Sequence, residues 1–179
     1  MIARLLDEYA QIGDPKVALV GRVVWHPEVP LTLTMKWLQE AGPFGDIGSE
    51  CSGPLQNLLC ENSLLWRPFV LEHGGFDEKF THFGLEDIEL GLRLKKHGLQ
   101  VQHVASAVGY RLKPVRVRDL VDREIAEGLS AVYLHSKFPD YIPQVDDVPG
   151  LLRNETLAHE AEAAVAELTM REDAGAGFT

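Results

Sequence analysis

The stretch Val17-Ala18-Leu19-Val20-Gly21-Arg22-Val23-Val24-Trp25 does most to limit what this chain can fold into. It is almost continuously apolar and rich in β-branched side chains. That pattern reads as a strand buried on both faces, the usual state of a central strand in an α/β sheet. His26-Pro27-Glu28-Val29-Pro30 ends it. Ahead of it, residues 4–11 read as a short amphipathic helix with Leu5, Leu6 and Tyr9 on one side, broken by Gly13-Asp14-Pro15. With 179 residues the chain has room for one domain with a real hydrophobic core, or one domain with a helical appendage.

The remaining pattern alternates between helix and strand signals. Residues 32–40 read as a helix facing Leu33, Trp37, Met35 and Leu38 inward. Residues 41–57 are rich in Gly, Ser and Pro without a period, so a long loop is expected, of the kind that is more often functional than idle. Residues 58–65 suit a strand, and Pro68 suits the first turn of a short helix over 69–73, with Gly74 ending it in a left-handed conformation. The best-defined helix covers 86–97, with Leu85, Ile88, Leu92 and Leu94 apolar and Glu86, Glu89, Arg93 and Lys96 on the other side. Acids fill its first turn, bases its last, and Gly98 stops it. Residues 99–104 alternate as a strand, which 107–110 extend or pair with separately. A long helix over 117–136 carries Val117, Val121, Ile125, Leu129 and Val132 at near-helical spacing. Beyond Pro139, Pro143 and Pro149, a last helix is expected at about 154–170, followed by a disordered tail over 173–179. The expected division is 1–139 for the main domain and 140–179 for linker, terminal helix and tail.

Charge narrows the function classes. Lys and Arg number 17 against 27 Asp and Glu, a formal net charge of -10. So acidic a surface argues against non-specific binding to nucleic acid or anionic lipid, where basic patches supply most of the attraction. No apolar run is long enough to span a bilayer, and the first residues lack the form of a signal peptide. Cys51 and Cys60 sit in an expected loop and suit a reducing compartment better than a disulfide scaffold. The expected location is cytoplasmic, or peripheral to the inner face of the membrane.

One motif points to chemistry. Gly74-Gly75-Phe76-Asp77-Glu78 is followed closely by Gly84-Leu85-Glu86-Asp87-Ile88-Glu89-Leu90-Gly91-Leu92-Arg93-Leu94. It sets two adjacent carboxylates at a helix mouth behind a double-glycine turn and an aromatic. Over roughly residues 4–139 this order resembles the acceptor half of the family-2 inverting glycosyltransferases and their galactosyltransferase-like relatives. The resemblance implies a partial GT-A-type, Rossmann-like mixed sheet flanked by helices, with a C-terminal helical extension. It also implies a nucleotide-sugar donor and a glycan acceptor. Such a transfer is a single displacement at the anomeric carbon. The acceptor hydroxyl needs a base, and a positioned one contributes ~10²–10⁴ in rate. The departing diphosphate needs a divalent metal or Lys and Arg.

The resemblance makes Asp87 the base and puts Glu86 on acceptor hydroxyls. It puts Asn62 near the donor, where a satisfied buried amide is the plainer account. Phe76 is an acceptor platform or ordinary packing, and Asp77 binds sugar hydroxyls or stabilises its turn. Arg93 is expected to pair with Glu89 on the surface, an interaction worth little. Trp37 and Trp66 read as core, whereas Trp25, at a strand end, is harder to dismiss as a sugar platform.

Two departures from the family pattern matter. Where relatives carry a metal-ligating histidine, this chain has Arg111 and Lys113, which cannot ligate a metal as cations but can neutralise a diphosphate, or are simply exposed loop residues. Dependence on Mn or Mg is therefore expected, if at all, of an intact enzyme. No Asp-x-Asp motif is present either, so a missing N-terminal nucleotide-binding half, a bare sheet face, unpaired strand edges and possible homodimerisation are expected. A carbohydrate-binding or interaction module that kept the fold and lost catalysis is the alternative. A metal hydrolase built on His73, His82, His97 and His103 lacks the helical ligand spacing.

Overall fold

The computed structural model describes residues 1–40, 60–141 and 155–174. Its sheet runs in the order β2-β1-β3. The apolar run forms β1 (Val17–Trp25) at the centre. It pairs antiparallel with the short β2 (Ser63–Leu64), Leu19 opposite Leu64, and parallel with β3 (Gln100–Arg111), from Val17 opposite Gln100 to Trp25 opposite Arg111. Strand alternation then sends Ala18 and Val20 to one face and Val17 and Leu19 to the other.

Both faces are covered. Ala18, Val20 and Val101 pack against Phe69 of α3 (Arg67–Glu72), Leu90 and Leu94 of α4 (Glu86–Lys95), and Leu99. Val17, Leu19, Val104 and Ala107 pack against Leu5, Tyr9 and Ile12 of α1 (Ile2–Ile12). The expected bare face is thus occupied, because the first amphipathic helix lays its apolar side there. Gly13 ends α1 with φ 64°, in the left-handed region where glycine has no side chain to clash. The architecture is mixed α/β, an open three-stranded sheet flanked by helices, and agrees with a partial GT-A-type fold.

The seam expected in the third strand exists as an irregularity within one continuous strand. Gly21 pairs with Val104 but Arg22 with Val108, so Ala105, Ser106 and Ala107 bulge out. A short 3-10 turn (Cys60–Asn62) leads into β2 and brings Asn62 to this bulge. A Cβ at Gly21 would lie 2.2 Å from the Ala107 carbonyl oxygen and 2.4 Å from Asn62 Nδ2, so this close approach requires glycine.

Three helices complete the described chain: α2 (Leu33–Glu40), α5 (Val117–Lys137) and α6 (Glu155–Asp173). Met35 and Leu38 of α2 are buried as expected, but Trp37 is half-exposed. The apolar stripe of α5 also turns outward: Ile125, Leu129 and Val132 are all more than half exposed, and the helix buries Val117, Ser130, Ala131 and Leu134 instead. Polar anchors choose that face, since Ser130 Oγ donates to the Phe83 carbonyl (3.1 Å), and Tyr133 and Lys137 reach Asp77. Glu172 of α6 caps two helices at once. It accepts from the amide and hydroxyl of Thr34 in α2 (3.3 and 2.7 Å) and from the amide of Val117 in α5 (2.8 Å). Trp66, expected in the core, is half-exposed and stacks on Tyr9 with ring centroids 6.0 Å apart. The expected loop over 41–57, with Cys51, and the tail beyond 174 lie outside the described residues.

Candidate active site

The Glu86-Asp87 pair opens α4, as the motif requires. The chain enters this helix through Gly84 (φ 87°) and Leu85 (φ 68°), and Leu85 is the non-glycine residue with positive φ among those described. Such a conformation costs on the order of 1–3 kcal/mol and gathers at functional sites. Leu85 is held there because its carbonyl accepts the Glu89 amide (2.9 Å), which starts the helix. Asp87 Oδ1 accepts the Ile88 amide (2.8 Å), and the helix N-terminus favours negative charge at this position. Glu86 and Asp87 are half-buried, so neither is sealed from solvent.

Two residues that the sequence did not single out share this neighbourhood. The Glu127 side chain of α5 lies across Gly84, where an added Cβ would stand 3.1 Å from its Cγ and 3.2 Å from its Oε2. Burial pushes the Glu127 carboxyl up; Glu124, Asp87 and Glu86 push the same way, and Arg123 opposes them. Burial also raises the Tyr141 phenol, with Asp87 and Glu127 adding to it. Burial and like charge together hold the Glu127 carboxyl towards its neutral form. No local pattern marks Glu127, since its position comes from where α5 passes the turn that leads into α4.

Asp77 belongs to a different group. Its Oδ2 accepts from Lys137 Nζ (2.6 Å) and the Tyr133 hydroxyl (2.8 Å), and its Oδ1 from the Lys79 amide (3.0 Å). The Lys137 hydrogen bond, first among these, holds its carboxyl well below the usual carboxylate range. Lys137 Nζ also donates to Glu89 Oε1 (2.5 Å), and Glu89 is fully buried. Arg93 closes on Glu89 through Nε (3.0 Å) and Nη2 (2.9 Å), then spans to the carbonyls of His73 and Gly75 (2.6 Å to the latter). The expected surface pair of Arg93 and Glu89 is therefore an internal clamp. It locks the double-glycine turn, with Gly74 at φ 95° and Gly75 at φ 66°, onto α4. Phe76 follows the turn and is half-exposed.

Asn62 and Arg111 form a third group at the strand ends. Asn62 is 4% exposed, and its Nδ2 donates to the carbonyls of Arg22 and Ala107 (both 2.8 Å), while Oδ1 has no hydrogen-bond partner among the described residues. Its amide thus bridges the bulge between β1 and β3. Arg111 pairs with Glu61 and lies over the Trp25 ring, 5.4 Å from its centroid. Lys113 is exposed two residues farther on. Among the described residues no three His, Cys, Asp or Glu side chains are grouped to hold a metal ion. Arg111 and Lys113 offer no lone pair to one, so these residues do not fit a metal. No described helix is long and apolar enough to cross a membrane.

Residues 53–115 match the family model described as the N-terminal domain of galactosyltransferase. The chain is 28% identical to chondroitin synthase of Pasteurella multocida (strain Pm70) over 134 residues, which is 75% of this chain and 13% of that protein. It is 30% identical to chondroitin synthase of Escherichia coli over 89 residues, 50% of this chain and 13% of that protein. A hyaluronan synthase of Pasteurella multocida is 27% identical over 86 residues, 48% of this chain and 9% of that protein. The chain is thus similar to family-2-like glycosyltransferases over these stretches, and it spans 13% or less of the length of these curated relatives.

Proposed function

We propose that this chain is the acceptor side of an inverting glycosyltransferase that moves a sugar from a nucleotide-sugar to a carbohydrate or lipid-linked acceptor. The observation that carries this is Asp87, half-buried on the first turn of α4 and inside the stretch that matches the galactosyltransferase model. The Asp87 carboxylate takes the proton of the acceptor hydroxyl as that oxygen bonds to the anomeric carbon. The bond from the anomeric carbon to the diphosphate breaks, and the diphosphate leaves with the electron pair. Glu86 orients acceptor hydroxyls, and the half-exposed Phe76 offers them an aromatic face. Arg111 and Lys113 meet the diphosphate, with Asn62 setting the strand ends beside them. Asp77 works through the clamped turn that carries Phe76.

No step passes through a metal held by the described residues. The nucleotide-binding half, with its Asp-x-Asp motif and any Mn or Mg, comes from another segment or partner, and the chain alone is inactive. The relatives named for chondroitin and hyaluronan make a polysaccharide the favoured acceptor. We place the enzyme in the cytoplasm at the inner membrane face.

Asp87→Asn tests the assignment in the protein that carries both halves. Transfer measured with labelled donor should fall by ~10²–10⁴, with acceptor affinity nearly unchanged. Undiminished transfer would overturn it. A carbohydrate-binding module, the second possibility, shows acceptor binding and no transfer even in the wild-type pairing.

A further inference from the structure

A pocket of about 190 Å³ opens where β1 ends, lined by Val24, Trp25, His26, Pro27, Val29 and Leu31. We propose that it is a subsite for one pyranose ring of a bound glycan, lying outside the Glu86–Asp87 centre. This rests on the glycosyltransferase reading for the class of ligand, and on independent geometry for the place.

The geometry begins with topology. Ligands in open α/β sheets bind beyond the carboxyl ends of parallel strands, and β1 and β3 end side by side here, Trp25 opposite Arg111. Two hydrogen bonds hold the pocket loop, one against the end of β3 and one against the segment after it. The His26 amide donates to the Arg111 carbonyl (3.0 Å) at one end, and Thr32 Oγ1 donates to the Val115 carbonyl (2.6 Å) at the other. A pocket fixed at both ends keeps its shape without a ligand, which lowers the ordering cost of binding one.

The lining fits a sugar. A pyranose presents an apolar C–H face and an edge of hydroxyls. The pocket presents an indole with the aliphatic surfaces of Val24, Val29, Leu31 and Pro27, and an imidazole among them. His26 is oriented on two sides: its Nδ1 accepts the Glu28 amide (3.3 Å), and its ring meets Tyr110 edge-on at 5.4 Å. That hydrogen bond sets Nε2 as the N–H bearing atom of the neutral ring, a donor for a hydroxyl. Tyr110 is more than half exposed beside it and offers a second ring with a polar tip. Nothing in this lining repeats the acids at α4, so the pocket binds a ring without acting on it.

The test uses the ¹⁵N-labelled chain and an unsulfated chondroitin hexasaccharide. The chain has 3 tryptophans, whose indole N–H signals are assigned by single Trp→Phe substitutions. The hexasaccharide should shift the Trp25 signal saturably and leave Trp37 and Trp66 in place. Trp25→Ala and the surface variant Tyr110→Ala should each weaken binding by about tenfold, as truncation of an aromatic anchor does. No saturable shift, a shift at Trp37 or Trp66 instead, or Tyr110→Ala binding as wild type would each overturn the subsite. Asp87→Asn should leave the Trp25 shift unchanged. A missing Trp25 shift alongside transfer that Asp87→Asn abolishes would sink the subsite alone. An intact shift with transfer undiminished by Asp87→Asn would sink the catalytic assignment alone.

Discussion

At the scale of single residues, burial decides what each carboxylate does. Glu86, Asp87, Glu89 and Asp77 are all acids of one short motif, yet the fold gives them different chemistry. Glu89 is wholly buried, and burial alone would raise its carboxyl. The hydrogen bonds from Arg93 and Lys137 outweigh that and lower it. Breaking a buried ionic group typically costs about 3–5 kcal/mol, because the partner charges are left behind. Arg93 and Lys137 are each about a quarter exposed (23% and 28%), so water relieves part of the penalty. Glu89→Ala should therefore destabilise by about 2 kcal/mol in urea unfolding. A loss below about 0.5 kcal/mol would place the clamp among ordinary surface pairs. Glu127 runs the other way. Its folded-state carboxyl is raised, so it lends stability below its ordinary range and loses that contribution as pH rises through the folded value. Glu127→Gln should accordingly raise the urea midpoint at pH 7 and change little near pH 4, whereas a midpoint lowered at pH 7 would contradict it.

At the scale of elements, local signals placed the helices and strands, and contacts turned them. The glycines that end α1, α3 and α4, the acids that start α4 and the apolar run of β1 are visible in the chain order. The facing of α5 is not. Ile125, Leu129 and Val132 make a convincing apolar stripe, but the helix buries Ala131 and Leu134 because Ser130, Tyr133 and Lys137 have partners on the α4 side. Those partners lie 47 to 60 residues away in sequence, beyond the reach of any periodicity. The docking of α6 is equally hidden, since it depends on Glu172 meeting the first turns of α2 and α5. Burial would raise the Glu172 carboxyl, but its bonds to Thr34 and Val117 prevail and lower it. Glu172→Ala removes a cap from both helices and should cost about 1–2 kcal/mol. Hydrogen exchange should quicken at the Thr34 and Val117 amides together. Faster exchange at only one of them would show that Glu172 does not hold both.

At the scale of the whole molecule, two electrostatic effects compete as pH falls. The formal charge of -10 repels itself, and acid relieves that repulsion towards the isoelectric point near 5.1. Against this, Asp77, Glu89 and Glu172 all have lowered folded-state values. Their stabilisation is complete above the ordinary carboxylate range of about 4–4.5 and is lost as pH drops through the folded values. The urea midpoint should thus peak near pH 5 and fall steeply by pH 3, and a midpoint that holds level to pH 2.5 would show these carboxylates to be unimportant. The order of the residues alone determined a buried central strand, the helix that opens with Glu86-Asp87 and the glycines that turn the chain into it, because strand burial, helix caps and left-handed turns are encoded within a few neighbouring positions. Only the tertiary structure decided that Arg93 and Lys137 enclose Glu89, that Glu127 crosses the approach to Asp87, and that Asn62 bridges the bulge between β1 and β3. Lys137 and Glu89, Glu127 and Asp87, and Asn62 and Ala107 are far apart along the chain, and packing in three dimensions is what brings them together.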